Sequence, residues 1–444
     1  MNDRTPSRPR LSRRNLMKTS GLSGLGLALG PGLAACGRGF GGGDDSSGGE
    51  GEINMVWWGD AARAEVTEAA LDIFTEETGI AVKTEYQDSG PYQDKLATRF
   101  AAGDEPDLMA QRMDSLREFA DRGALLDLNT AGDAVDLSGL SESARALAEV
   151  DGAVYGVPAG LNAIGFIVNR DITDEHGIAI PDGDTWSWDD LAEFSASVTE
   201  ATGGEVYGTG FEASTLANII VWIRQQGEDF FTEDGRFGAS EASVQAWFDM
   251  IQAMRDAGGF PPAGFFEQVG GGAEQSYIAA GTLASQIIPT NNFLSYSQAA
   301  GGNLALLRMP GETTGVRRGQ SVDCPHLWSI ASASEHQDEA LRLLDFLAND
   351  PRASQATGTT RGVPPNSQIA EDLMGDLAEE DRTATEYLIG LQGEDLPPSF
   401  PYPPGGSAIA DALAAIATEV EFGSMSSSEA AAAFVAQSQD ALEQ

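Results

Sequence analysis

The chain has 444 residues, with 26 Lys and Arg set against 68 Asp and Glu, and a formal net charge of −42. This acidity excludes nucleic acid and anionic lipid headgroups as partners, because both would be repelled. The apolar share of 41% is ordinary, so the acidic residues form a solvated shell around a core rather than a disordered chain. Histidines occur only at 176, 326 and 336, too scattered for a His-based metal cluster. There is no Gly-Lys pair of a Walker A loop and no Gly-x-Ser-x-Gly elbow, so no cofactor, metal or nucleotide is implied.

Residues 1–35 read as an export leader. Arg4, Arg8, Arg10, Arg13, Arg14 and Lys18 face only Asp3, which makes a basic n-region. The apolar run from Gly21 to Ala35 is about 15 residues and is interrupted by Pro31, short of the roughly 20 that span a bilayer. The stretch from Ser12 to Lys18 resembles a twin-arginine export signal, with a Sec leader as the alternative. Leu33-Ala34-Ala35-Cys36 resembles a lipobox, at which the leader is cut and Cys36 is acylated. Residues 36–51 form a flexible Gly/Ser/Asp linker. Removing six basic side chains and one acidic one deepens the net charge to −47. With Cys36 lipidated, Cys324 stands alone and no intrachain disulfide forms.

Downstream, Ile53 to Trp57 reads as a strand and Ala61 to Thr78 as a helix, with Val66, Ala69, Ala70, Ile73 and Phe74 at helical spacing and Gly79 as its stop. A second strand runs from Ile80 to Tyr86. Pro91 suits the first turn of a helix ending near Gly103. Asp107 to Gln111 is a third strand, and Asp114 is placed to cap a helix over Ser115 to Arg122. This alternation predicts a mostly parallel sheet with helices on its faces, where ligands sit beyond the carboxyl ends of the strands. Strands follow at Val154 to Pro158 and Ile164 to Asn169. Helices follow over Trp188–Thr202, Thr215–Gln226, Ala242–Gly258 and Ala273–Ala280. Leu283–Ile288, Leu304–Met309 and Trp328–Ala331 read as strands, and His336–Asn349, Ala408–Phe422 and Ser428–Leu442 as helices.

Several weak motifs in one order give this chain a resemblance to the extracellular solute-binding proteins of carbohydrate ABC importers, the group that includes maltose-binding protein. They are Trp57-Trp58-Gly59-Asp60, Ala101 to Asp107, Arg122-Gly123-Ala124-Leu125-Leu126-Asp127-Leu128, Tyr155-Gly156-Val157-Pro158, Phe166-Ile167-Val168-Asn169, Arg361-Gly362-Val363-Pro364 and the small-residue C-terminal helices. The resemblance implies an α/β fold of two lobes, periplasmic-binding-protein-like, with a ligand cleft between them. One lobe would hold 52–159 plus 322–362 and the other 160–321 plus 363–444. It also implies hinge closure on a sugar, delivery to the transmembrane permease subunits of an importer, and an extracellular monomer tethered to the membrane through Cys36.

A sugar presents C–H faces to aromatic rings and hydroxyls to carboxylates, amides and Arg. Strand alternation puts one of Trp57 and Trp58 in the core and the other, read as Trp58, in the cleft beside Asp60. In the family pattern Asp114 corresponds to a sugar-binding carboxylate, with the helix cap as the alternative, and Asn162 to a ligand-facing residue at the crossover. Asn291 and Asn292 are hydroxyl readers or turn formers. Trp222 sits in an apolar helix, where a core position competes with a ligand-facing one. Trp328, Arg361, Asp88, Tyr92 and Tyr402 complete the candidates, and Cys324 reads as a packing residue. The same lining would serve a glycosidase, with Asp60 and Asp114 as its carboxylate pair. A polyol or glycerophosphodiester is another possible ligand, disfavoured where phosphorylated by the sparse basic residues, and a metal or phosphate binder fits less well.

Overall fold

The computed structural model describes residues 51–442, apart from 60, 88, 233, 269–271, 398 and 400. The leader, the candidate lipidation site Cys36 and nearly all of the linker therefore lie outside the described residues, as do Asp60 and Asp88. The strands in chain order are β1 (Glu52–Trp58), β2 (Ala81–Gln87), β3 (Leu108–Gln111), β4 (Glu149–Val150), β5 (Ala153–Val154), β6 (Val157–Pro158), β7 (Ile164–Asn169), β8 (Ser285–Pro289), β9 (Leu304–Leu307) and β10 (Leu327–Ile330).

Two larger sheets and two main cores give the two-lobe α/β architecture. The first sheet has the order β2-β1-β3-β10-β6. β1 is parallel to β2 and β3, whereas β10 runs antiparallel to β3, with Trp328 opposite Ala110, and to β6. Its core takes in Ile53, Met55, Trp57, Leu108, Leu327 and Ile330. The helix over Ala61–Thr78 lies where its spacing predicts and supplies Ala70, Leu71 and Phe74 to that core. The second sheet, β8-β7-β9, is antiparallel throughout, so the parallel expectation holds only for β1 to β3. Its core is built around Phe166, Trp188, Trp247, Phe248 and Phe434. The segment after residue 362 serves both sides: Ala370, Leu388 and Leu391 enter the first core, and Ile409, Leu413 and Phe434 the second.

Three segments cross between the sheets and are hydrogen-bonded to one another. The Leu161 N–H donates to the Val363 carbonyl at 2.6 Å, and the Leu161 carbonyl accepts from the Val363 N–H at 2.7 Å. Asn162 and Asp323 exchange the same pair of bonds at 2.9 and 2.8 Å. These crossovers fix where the cleft opens.

The loop leading to Ser321 and Asp323 is folded around buried polar groups. Glu312 is 4% exposed, and its Oε1 accepts from Gln225 Nε2 at 2.8 Å and from the Gly319 and Gln320 N–H groups at 3.1 Å. Gln320 in turn accepts from the Met309 N–H and donates to the Ile164 carbonyl and the Tyr387 hydroxyl. Burial holds the Glu312 carboxyl above the usual carboxylate range. Glu312→Ala strands three donors and is expected to cost about 3 kcal/mol in urea unfolding, while Glu312→Gln keeps the acceptor and most of the stability. A carboxyl raised in the folded state stabilises it most below its unfolded pKa and less as pH rises through the folded one. The Gln variant should flatten that part of the pH–stability curve.

The expected helix over 273–280 is replaced by a short 3₁₀ turn, Ala273–Gln275. The Ser276 hydroxyl donates to the Ala273 carbonyl at 2.6 Å and closes the turn. The structure also contains helices over Pro351–Thr357, Ser367–Leu373 and Glu379–Gln392.

Candidate functional site

The cleft between the lobes has a volume of about 560 Å³. β1 delivers Trp58 to it, because alternation along the strand sends Trp57 into the core, where it is fully buried. Trp58 rests against Tyr92 on one side and His326 on the other, with ring centroids at 5.2 and 4.8 Å. Tyr92 itself is core: it is 3% exposed and donates its hydroxyl to the Ala110 carbonyl at 2.8 Å.

Beyond β3 the chain turns at Arg112 and Asp114, both of which line the cleft. Asp114 does not cap the following helix. That helix spans Met113–Asp121, its N-cap is Arg112, and no side chain caps it. Asp114 stands in the first turn, where its carboxylate is held by the Arg112 guanidinium at 3.0 Å from Nε.

The crossovers supply Asn162 and Asp323. Asn162 Nδ2 donates to Asn291 Oδ1 at 3.2 Å, so Asn291 orients Asn162 and lies behind the lining. Asn292 is the N-cap position of the helix Phe293–Ala299, with no side-chain cap bond, and is not part of the lining. Asp323 is surrounded by protein mass yet keeps open surface toward the cleft. Desolvation raises its carboxyl above the ordinary range, opposed by the Cys324 N–H at 2.7 Å and the charge of Arg224. Cys324 lines the cleft beside it and is 6% exposed.

The helix Leu216–Gln225 faces the cleft with Leu216, Ala217, Ile220, Val221 and Arg224, an i, i+4 stripe. Desolvation lowers the Arg224 pKa, with Tyr402 and Asp323 opposing. Its guanidinium donates to Ser321 Oγ at 2.8 Å. Trp222 points away from that stripe. Its indole lies edge-on to Trp188 at 5.7 Å and donates to the Ser243 carbonyl at 2.9 Å, so it belongs with the second core rather than the cleft. Tyr402 lines the cleft from the loop before the helix Gly406–Glu421, its ring against Phe231 at 5.1 Å. Its N–H donates to the Met113 carbonyl at 3.3 Å.

Trp328 and Arg361 are not in the lining either. Both are 4% exposed. Trp328 sits mid-sheet between β3 and β6, and the Arg361 guanidinium lies over its ring at 5.2 Å. Desolvation and the neighbouring Arg63 bring the Arg361 pKa down to about 9. The structure thus brings Trp58, Asp114, Asn162 and Tyr402 of the predicted residues to one wall-lined space. It adds Arg112, Arg224, Ser321 and Asp323, which the sequence reading missed. A polar residue on the apolar stripe marked Arg224, and Asp323 stood at the predicted lobe boundary.

The result is four aromatic side chains, Trp58, Phe230, Phe231 and Tyr402, and a set of fixed polar groups of both signs, suited to a neutral, hydroxyl-rich ligand. Among the described residues, no group of three or more His, Cys, Asp or Glu is placed to hold a metal ion. No described helix is long and apolar enough to cross a membrane.

A family model described as "Bacterial extracellular solute-binding protein" matches residues 69–384. The arabinooligosaccharide-binding protein of Halalkalibacterium halodurans is 25% identical over 226 residues, covering 48% of this chain and 48% of that protein. The lactose-binding protein of Rhizobium radiobacter is 24% identical over 241 residues, covering 52% and 54%. The chain thus spans about half the length of these curated relatives. A periplasmic oligogalacturonide-binding protein of Yersinia enterocolitica, solved with saturated digalacturonic acid, shares the fold with a TM-score of 0.75 at 23% identity, over 89% of this chain and 99% of that one.

Proposed function

The chain belongs to the bacterial extracellular solute-binding protein family, and from that membership we propose that it captures a sugar or oligosaccharide outside the cell for an ABC importer. The observation that carries the reading is the cleft itself, where Trp58, Tyr402, Asn162, Arg224 and Asp323 converge beside the crossovers. Aromatic faces cover sugar C–H surfaces, and the amide, guanidinium and carboxylate bond hydroxyls. The sugar-binding names of the two curated relatives support the ligand class. The crossovers act as the hinge, with 52–159 plus 322–362 as the body of one lobe, 160–321 as the body of the other and the segment after 362 divided between them rather than wholly in the second, and the closed form docks on the permease. Cys36, acylated after export, tethers the protein to the membrane surface.

The chain binds its ligand without turning it over. Of the carboxylates considered for glycosidic chemistry, Asp114 is engaged by Arg112, and the two curated relatives are named as binding proteins.

The test is a thermal-shift screen of the purified full-length protein against mono- and oligosaccharides and polyols. Ligand at 100 times its Kd adds about 2.7 kcal/mol to stability, a shift of a few degrees. A reproducible shift with the ligand recovered intact supports the reading. Recovery of cleaved sugar moves the assignment to an enzyme, and silence across the panel sinks the saccharide.

A further inference from the structure

The helix Gly406–Glu421 meets the cleft at Ala410, and Phe422 follows about 18 Å further along its axis. At that far end, between its last turn and the helix Glu241–Asp256, lies a pocket of about 250 Å³. Its floor is aromatic: Phe211, Phe248 and Phe260 are almost fully buried, with Phe260 edge-on to Phe211 at 5.2 Å. Phe266 and Phe422 form its wall. Phe422 is 52% exposed and stands against the turn at Gly264, so the rim offers open aromatic surface.

The pocket is electrostatically negative. Both helices end here, and a helix C-terminus carries a partial negative charge. The helix Glu241–Asp256 has Arg255 in its last turn to offset this, whereas Gly406–Glu421 has no basic residue there and ends on Glu421. Arg255 is already engaged. Its Nε donates to the Pro261 carbonyl at 3.0 Å, its Nη1 donates to Gln252 at 3.3 Å, and its guanidinium lies over Phe260 at 5.5 Å. Glu421 is 3.9 Å from that guanidinium and accepts the Gly264 N–H at 3.0 Å. Glu212, on the rim, is exposed, and no described cation pairs with it. Two carboxylates against one guanidinium leave the lining negative, in a chain whose net charge is already −42.

These features select one ligand chemistry. The field repels an anion. A neutral apolar molecule leaves Glu212 unused, and a hydrated inorganic ion gains nothing from the phenyl rings. A cation with apolar substituents uses both, through the ring quadrupoles and the carboxylates. We propose that this pocket binds a small organic ammonium ion, its alkyl groups against Phe266 and Phe422 and its charge toward Glu212 and Glu421. The site is separate from the saccharide cleft and does not depend on its ligand.

Calorimetry on the full-length protein tests this with choline and its neutral isostere, 3,3-dimethylbutan-1-ol. Choline should bind at least tenfold more tightly, and only its affinity should fall as ionic strength rises. Phe422→Ala and, on a separate element, Glu212→Gln should each weaken choline about tenfold. Both side chains are exposed, so urea midpoints should stay at the wild-type value; if one variant fails to fold, the other decides. Equal affinity for choline and its isostere removes the charge from recognition. Choline binding that neither variant changes places the cation elsewhere, the cleft included. No choline binding at all leaves the pocket without its ligand class. Each of these three results overturns the proposal, and none of them bears on saccharide capture.

Discussion

Gly362→Ala is expected to lose about 4 kcal/mol of stability and to weaken ligand binding more than tenfold. Gly362 has φ +114°, a backbone conformation that costs an L residue about 1–2 kcal/mol. A Cβ there would stand 2.3 Å from the Leu161 carbonyl oxygen. Facing it, a Cβ on Gly160 would stand 2.5 Å from the Arg361 carbonyl oxygen. Both contacts are with backbone, which cannot swing aside as a side chain does, and overpacking of this kind costs about 1–3 kcal/mol more. To make room, the two crossovers must part and give up the paired Leu161–Val363 bonds. The same crossovers set Asn162 and Asp323 opposite Trp58, so their separation also misplaces the site. Gly258→Ala is the control: its φ is +81° and its Cβ would meet nothing within 4 Å, so it bears only the conformational cost. Denaturation midpoints and calorimetry on both variants decide the matter. If Gly362→Ala matches Gly258→Ala in both, the crossovers are not the tightly packed hinge inferred from them.

What the sequence made legible follows from how local each signal is. β1 and the helix after it were readable because alternation and a 3.6-residue stripe occur within one short window. Alternation divided Trp57 and Trp58 between core and cleft, and nearness to the loop picked Trp58 for the cleft, where it lies. The helix Glu379–Gln392 escaped because its buried stripe is narrow, Ala384, Leu388 and Leu391, behind three acidic residues in its first turn. The apparent helix at 273–280 was misleading because its alanines have good helix propensity, whereas Gly272 and Gly281, both at positive φ, bracket the segment too closely. Trp328 and Arg361 were placed near the ligand because the motif around them borders a crossover. Only the tertiary packing shows that the guanidinium folds back onto the indole. The meeting of Asn162, Arg224 and Asp323 is likewise tertiary, since three distant segments join through backbone bonds that no single window encodes.

Asp323→Asn should weaken saccharide binding about tenfold to a hundredfold while leaving the protein as stable as before or more so. A charged acceptor bonding a hydroxyl contributes roughly 1.5–3 kcal/mol, and each tenfold in affinity is about 1.4 kcal/mol. The stability effect has the opposite sign. Desolvation raises the Asp323 carboxyl, so its ionised form is less favourable in the folded protein than in the unfolded chain. A raised carboxyl stabilises the fold when protonated, and that contribution is lost as pH rises through the folded pKa. At neutral pH the carboxylate is therefore a modest burden, moderated by the open surface it keeps toward the cleft, and Asn relieves it. Arg224 limits the gain, because it loses an opposing charge. The pH dependence separates these effects. Wild-type affinity should fall on acidification at a higher pH than for an ordinary aspartate, and the Asn variant should bind weakly with a flat profile. Calorimetry across that range, with the sugar identified by the thermal screen, provides the check. A wild-type profile that the Asn variant reproduces at full affinity would remove Asp323 from the site and leave Arg224 and Asn162 as its polar readers.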